Sequence, residues 1–171
     1  MRLTPDGEIK KVSFWVSQLF ILTATVLGVF LAASQGFEQA VQFDSIKGEK
    51  NNYYMRKSLQ HELADNVAHI REFIKKVDQR IDKPELVLDT FVWKSMVYSP
   101  TALETAPDLL REAKLFYHRA EEIMATPYFN NMNKAKALGE LAAHVGQKVL
   151  PGFDADTAAI RKALLAKNMD V

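Results

Sequence analysis

All four histidines in this chain stand near carboxylates at helical spacing. His61, Asp65 and His69 fall at i, i+4 and i+8, which sets three metal-ligand types along one side of a helix. The apolar seam of the same stretch (Leu63, Val67, Ile70, Ile74, Val77 and Ile81) points the other way. The trio therefore reads as a solvated face. His118 with Glu121 or Glu122, and Glu140 with His144, are further imidazole–carboxylate pairs. A metal in a bundle core needs such pairs projecting inward from several helices. Only His144 lies at the edge of a seam, so no metal and no cofactor is expected.

Nucleophilic chemistry has less behind it. There is no Gly-x-Ser-x-Gly elbow and no phosphate-cradling loop, and the 7 glycines do not cluster. Ser95 and Ser99 border an apolar stretch, where structural roles are the default. With no cysteine, disulfides, thiolate catalysis and cysteine zinc sites are excluded. No catalytic residue is assigned, and an enzyme is not expected.

Aromatic residues offer binding rather than catalysis. Phe91, Trp93, Tyr98, Phe116 and Tyr117 form a candidate ligand pocket, in which Trp and Tyr need polar partners if buried. Tyr128 and Phe129 sit in a turn bounded by Pro127 and Asn130. Two adjacent aromatics on a loop do not both enter one seam easily. At least one is expected as an exposed contact anchor for a partner.

The elements that position these residues are read as helices. The seam that begins at Leu63 predicts a helix over residues 53–81, closed by "DKPE", in which Asp82 caps the next element and Pro84 opens it. Residues 86–98 are apolar nearly all round and predict the most buried helix of the domain. Their Val, Phe, Trp and Tyr content also suits a strand, but no partner strand appears. Thr101 three before Glu104, and Thr105 three before Asp108, mark starts that lead into a helix over 107–125. Its seam is Leu109, Ala113, Phe116, Ala120 and Ile123. A helix over 133–149 buries Leu138, Leu141, Ala142, Val145 and Val149. "PGFDAD" reads as a hard stop, after which Asp156 caps a last helix over 157–167 packed through Ile160, Ala163 and Leu164. The expected fold is all-α, a bundle of four main helices with short ones between them.

Ahead of that domain lies the strongest signal in the chain. Residues 12–34 contain no Asp, Glu, Lys, Arg or His. At about 1.5 Å rise per residue such a helix is about 35 Å long, enough to cross a hydrocarbon core of about 30 Å. The run is longer than the apolar part of a signal peptide, which favours a retained signal-anchor helix. Ala32 and Ser34 nevertheless supply a −3/−1 pair for cleavage. Arg2, Lys10 and Lys11 precede the run, and Lys47 is the first basic residue after it. Basic residues favour the cytoplasmic side. This predicts a single-pass inner-membrane protein with a cytoplasmic N-terminus and a periplasmic C-terminal domain.

The resulting division is a cytoplasmic tail (1–11), a transmembrane helix (12–34), a juxtamembrane connector (35–52) that loosens near Gly48, and a helical bundle (53–171). The tail is expected to be too short to fold and to carry no signal inward. Within the span, Ala24, Gly28 and Ala32 recur every four residues, the small-residue pattern that lets helix backbones approach closely. Beyond the span basic and acidic residues are equal in number, so no long-range field gathers nucleic acid. The expected role is a membrane-anchored accessory subunit that docks on another inner-membrane or envelope protein or on a second copy. A ligand-binding, sensor-like bundle acting through a partner is the alternative.

Overall fold

The computed structural model describes residues 12–99, 105–167 and 169. Among them every regular element is helical: α1 (Val12–Asp78), α2 (Phe91–Val97), α3 (Pro107–Ala125), α4 (Asn131–His144), a π-helical turn (Val145–Val149) and α5 (Leu150–Ala166). The all-α expectation holds, with one long apolar N-terminal helix ahead of four further helices. By compactness the chain divides into two units, Met1–Ser45 and Ile46–Val171.

Helix α1 is long because nothing interrupts it. No proline occurs between Val12 and Lys83. Gly36 and Gly48 each weaken a helix by about 1 kcal/mol relative to Ala, but both remain helical. The loosening expected near Gly48 does not occur. No residue of α1 before Asn52 is buried.

The helix ends three residues earlier than the apolar spacing implied. Arg80 takes a left-handed conformation (φ 54°). Its N–H bonds to the Val77 carbonyl and the Ile81 N–H to the Lys76 carbonyl, which is a Schellman cap with arginine where glycine is usual. Ile81 therefore leaves the seam and is exposed. In the second unit α1 buries Leu59, Leu63, Val67, Ile70, Phe73 and Val77, while Ile74 is half-buried.

Residues 82–90 are not helical, so Asp82 and Pro84 do not open an element. α2 covers only the second half of the stretch expected to be the most buried helix. That expectation is wrong: Phe91 is 81 % and Tyr98 88 % exposed, and Met96 alone is buried in α2. An apolar stretch this short cannot bury every side of a single helical turn pair that lies on the outside of α1.

α3 has the expected bounds and seam, with Ala113, Phe116 and Ala120 buried and Leu109 and Ile123 half-buried. Its N-cap is Ala106, not Thr105, which is buried. The Thr101–Glu104 signal lies outside the described residues. α4 starts under an Asn130 cap, whose side chain accepts the Asn133 N–H at 2.9 Å. Leu138, Leu141, Ala142, Val145 and Val149 are buried as expected.

The hard stop at Pro151 does not occur. Proline lacks the N–H of an α-helical bond and its ring meets the carbonyl four residues back. Here the preceding turn widens to π geometry, with the Leu150 N–H bonded to the Val145 carbonyl. The helix then runs on as α5 with Pro151 in its first turn. Asp156 is thus interior to α5 and caps nothing. Leu164 is buried and Ile160 half-buried, but Ala163 is exposed.

Candidate functional site

The best-organised polar site lies where α1 meets α2 and α3. α2 begins at Thr90, whose side chain makes no capping bond. The orphan N–H groups of its first turn are taken instead by Glu62 of α1, itself only 6 % exposed. Glu62 Oε2 accepts the Val92 N–H at 2.6 Å and Oε1 the Trp93 N–H at 3.0 Å. A carboxylate at a helix N-terminus also meets the positive end of the backbone dipole. Oε1 accepts a third bond, from the Tyr117 hydroxyl of α3 at 2.5 Å.

One turn along α1, Asn66 is fully buried. Its Nδ2 donates to the Asp89 carbonyl at 2.7 Å, and its Oδ1 accepts the Asp89 N–H at 2.7 Å. The amide exchanges both bonds with one backbone residue, as a neighbouring strand would, and this ties the segment before α2 to α1. Nδ2 also reaches the Tyr117 oxygen at 3.5 Å. Burial, and then the Glu62 carboxylate, push the Tyr117 hydroxyl well above the usual tyrosine range. It stays a donor.

The Trp93 ring stacks on Tyr117, with centroids 5.3 Å apart and planes 18° apart. Together with Leu86, Leu88, Ala120 and Met124 they line a groove of about 340 Å³, with Thr90, Lys94 and Glu121 at its edge. Of the five aromatics expected to share a pocket, Trp93 and Tyr117 do. Phe116 packs edge-on to Tyr117 but is sealed in the core. Phe91 and Tyr98 face away, into solvent.

The remaining candidates fall as follows. His61, Asp65 and His69 are exposed, and His69 Nδ1 lies 4.0 Å from Asp89 Oδ2. His118, Glu121 and Glu122 are exposed as well. His144 pairs not with Glu140 of its own helix but with Glu112 of α3, at 2.9 Å. That bond, aided by Lys148 and Arg111, holds the Glu112 carboxyl below its ordinary range. Among the described residues no three His, Asp or Glu side chains converge on one point. Ser95 bonds the Phe91 carbonyl at 2.8 Å. Tyr128 is 93 % and Phe129 40 % exposed. Ala24, Gly28 and Ala32 are exposed on one side of α1.

Glu62 and Asn66 escaped the sequence reading, although a signal existed. Leu59, Leu63, Ile70, Phe73 and Val77 keep a 4-and-3 spacing in which Asn66 occupies one place. A polar residue inside an apolar seam must find buried partners.

Among the described residues these features define an all-helical protein with one helix, near the N-terminus, long and apolar enough to cross a membrane. Comparison with protein-family models, curated proteins and solved structures found no match to this chain.

Proposed function

We propose that the chain is a membrane-anchored interaction subunit. In this reading residues 12–34 span the inner membrane, and residues 53–171 stand in the periplasm and dock on another envelope protein. One observation carries it. Among the described residues α1 presents Leu19, Phe20, Leu22 and Phe30 outward, each more than half exposed. Covering a side chain of that kind is worth about 1.5–3 kcal/mol, so water is the wrong solvent for this segment and lipid the right one. The basic flank before it supports the orientation.

The outer domain supports docking rather than chemistry. Its buried carboxylate and amide are engaged in holding backbone, and its exposed aromatics Tyr128 and Phe129 offer anchors. Ala24, Gly28 and Ala32 offer a close-packing face within lipid. The test is a periplasm-only reporter fused after Val171, with fractionation of the cells and identification of co-purifying proteins. A membrane-bound, active reporter and a reproducible partner are expected. An inactive reporter overturns the topology, and a soluble shortened product would mean cleavage near Ser34.

A second reading has a specific observation behind it. The groove over Trp93 and Tyr117 falls within the size range of small-molecule sites, and a sensor-like bundle would use it. An apolar ligand held there would quench or shift Trp93 fluorescence. No change across a set of small aromatic probes would leave docking as the sole role.

A further inference from the structure

We infer that residues 84–90 form an open strand edge that takes an extended segment of the docking partner, one whose side chains alternate apolar and basic, an inference that rests on the docking reading above. Residues 84–90 contain no helix, turn or bend. Their exposure alternates. Pro84, Leu86, Leu88 and Thr90 are half-buried, whereas Glu85, Val87 and Asp89 are exposed. A period of two residues marks a strand with one face on a core. Pro84 stands at its first residue, where a strand tolerates proline.

The backbone of this segment is paired on one side. In an extended chain the polar groups of successive residues point to opposite sides. Those of Asp89 turn to Asn66 of α1. Those of Leu86 and Leu88 therefore turn away from α1, and no described residue bonds to them. A row of free N–H and C=O groups is a template for one more strand.

A cleft lies on either side of that edge. Leu86, Leu88 and Thr90 border the groove over Trp93 and Tyr117. Glu85, Val87 and Asp89 border a second cleft, of about 330 Å³, against His69, Glu72 and Lys76 of α1. A strand laid along Leu86 and Leu88 sends its side chains alternately to these two sides. The groove side is apolar and takes an apolar side chain. The α1 side carries three carboxylates and one lysine. Lys76 lies 3.8 Å from Glu72 and His69 lies 4.0 Å from Asp89, while Glu85 has no ion pair among the described residues. A basic side chain from the partner complements that excess of negative charge.

The probe is a capped peptide of alternating leucine and lysine, matched in length to residues 84–90. Two further versions carry backbone N-methyl groups, one on the leucines and one on the lysines. Each is titrated into the full chain in non-ionic detergent, with Trp93 fluorescence followed on a Trp15→Phe background. Only one set of alternate N–H groups faces an edge strand, so one methylated peptide should bind about tenfold more weakly and the other within about threefold of the parent. Glu85→Lys should weaken the parent peptide several-fold. Equal effects of the two methylated peptides, no binding of the parent, or an unchanged affinity in Glu85→Lys overturns the edge. If the edge fails while a protein still co-purifies with the full chain, docking survives at another surface. If nothing co-purifies, the docking reading fails with it.

Discussion

Replacing Glu62 by alanine removes the acceptor of three donors at once: the Val92 and Trp93 N–H groups and the Tyr117 hydroxyl. A hydrogen bond to a charged group contributes about 1.5–3 kcal/mol. Val92 and Trp93 are half-buried, so water replaces part of what they lose, and about 1 kcal/mol each is reasonable. The Tyr117 hydroxyl sits at the buried end and loses about 2 kcal/mol. These are net values that already include desolvation, so the expected loss is about 4 kcal/mol, a large share of a typical stability of about 5–15 kcal/mol. Urea unfolding of the full chain in detergent reads it, followed by Trp93 fluorescence on a Trp15→Phe background. Amide exchange should accelerate first at Val92 and Trp93, whose N–H groups lose their acceptor in a helix with one fully buried side chain, Met96. Glu72→Ala, an exposed site on the same helix, should stay within about 0.5 kcal/mol. Equal losses for Glu62→Ala and Glu72→Ala would refute the capping argument.

Ile70 is fully buried and His61 exposed, so Ile70→Ala should cost about 2–5 kcal/mol in the same unfolding assay and His61→Ala almost nothing. Arg80→Gly removes a left-handed non-glycine residue from the α1 cap and should stabilise by about 1 kcal/mol. Tyr117 holds its proton more tightly folded than unfolded, because of burial and the Glu62 carboxylate. Its contribution is complete below the unfolded value of about 10 and declines as pH rises above it. Thermal melts between neutral and strongly alkaline pH should therefore fall less steeply for Tyr117→Phe than for the unmutated chain. Tyr128→Ala with Phe129→Ala should leave the circular dichroism melt unchanged while reducing co-purification of a partner, and a collapsed melt would show that these rings hold the fold.

Local patterns were legible where one helix face decides burial. The α3 seam and the buried run from Leu138 to Val149 follow from 3.6-residue spacing alone. His61 and Asp65 face solvent for the same reason. Errors cluster where two elements compete for the same backbone. Residues 82–90 carry helix-start chemistry, yet the segment is not helical, and Asn66 takes both backbone polar groups of Asp89. Pro151 carries stop chemistry, yet one widened turn lets the helix continue. In both cases a local preference of a few kcal/mol or less gave way to bonds and packing from elsewhere in the chain.

By itself the sequence determined the helical class, the uncharged segment at residues 12–34 and most core-facing residues of α1, α3 and α4. These depend on composition and on periodicity along one element, which a chain carries before it folds. Only the tertiary structure decided which polar residues are buried and whom they serve. Glu62 caps a helix that begins about thirty residues later, Asn66 stands in for a strand, and His144 chooses Glu112 over its own helix neighbour. It also divided the five aromatics, leaving Trp93 and Tyr117 at a groove and turning Phe91 and Tyr98 to solvent. The physical reason is that hydrogen-bond partners and shared cavities are set by proximity between distant segments, and spacing along the sequence does not encode that proximity.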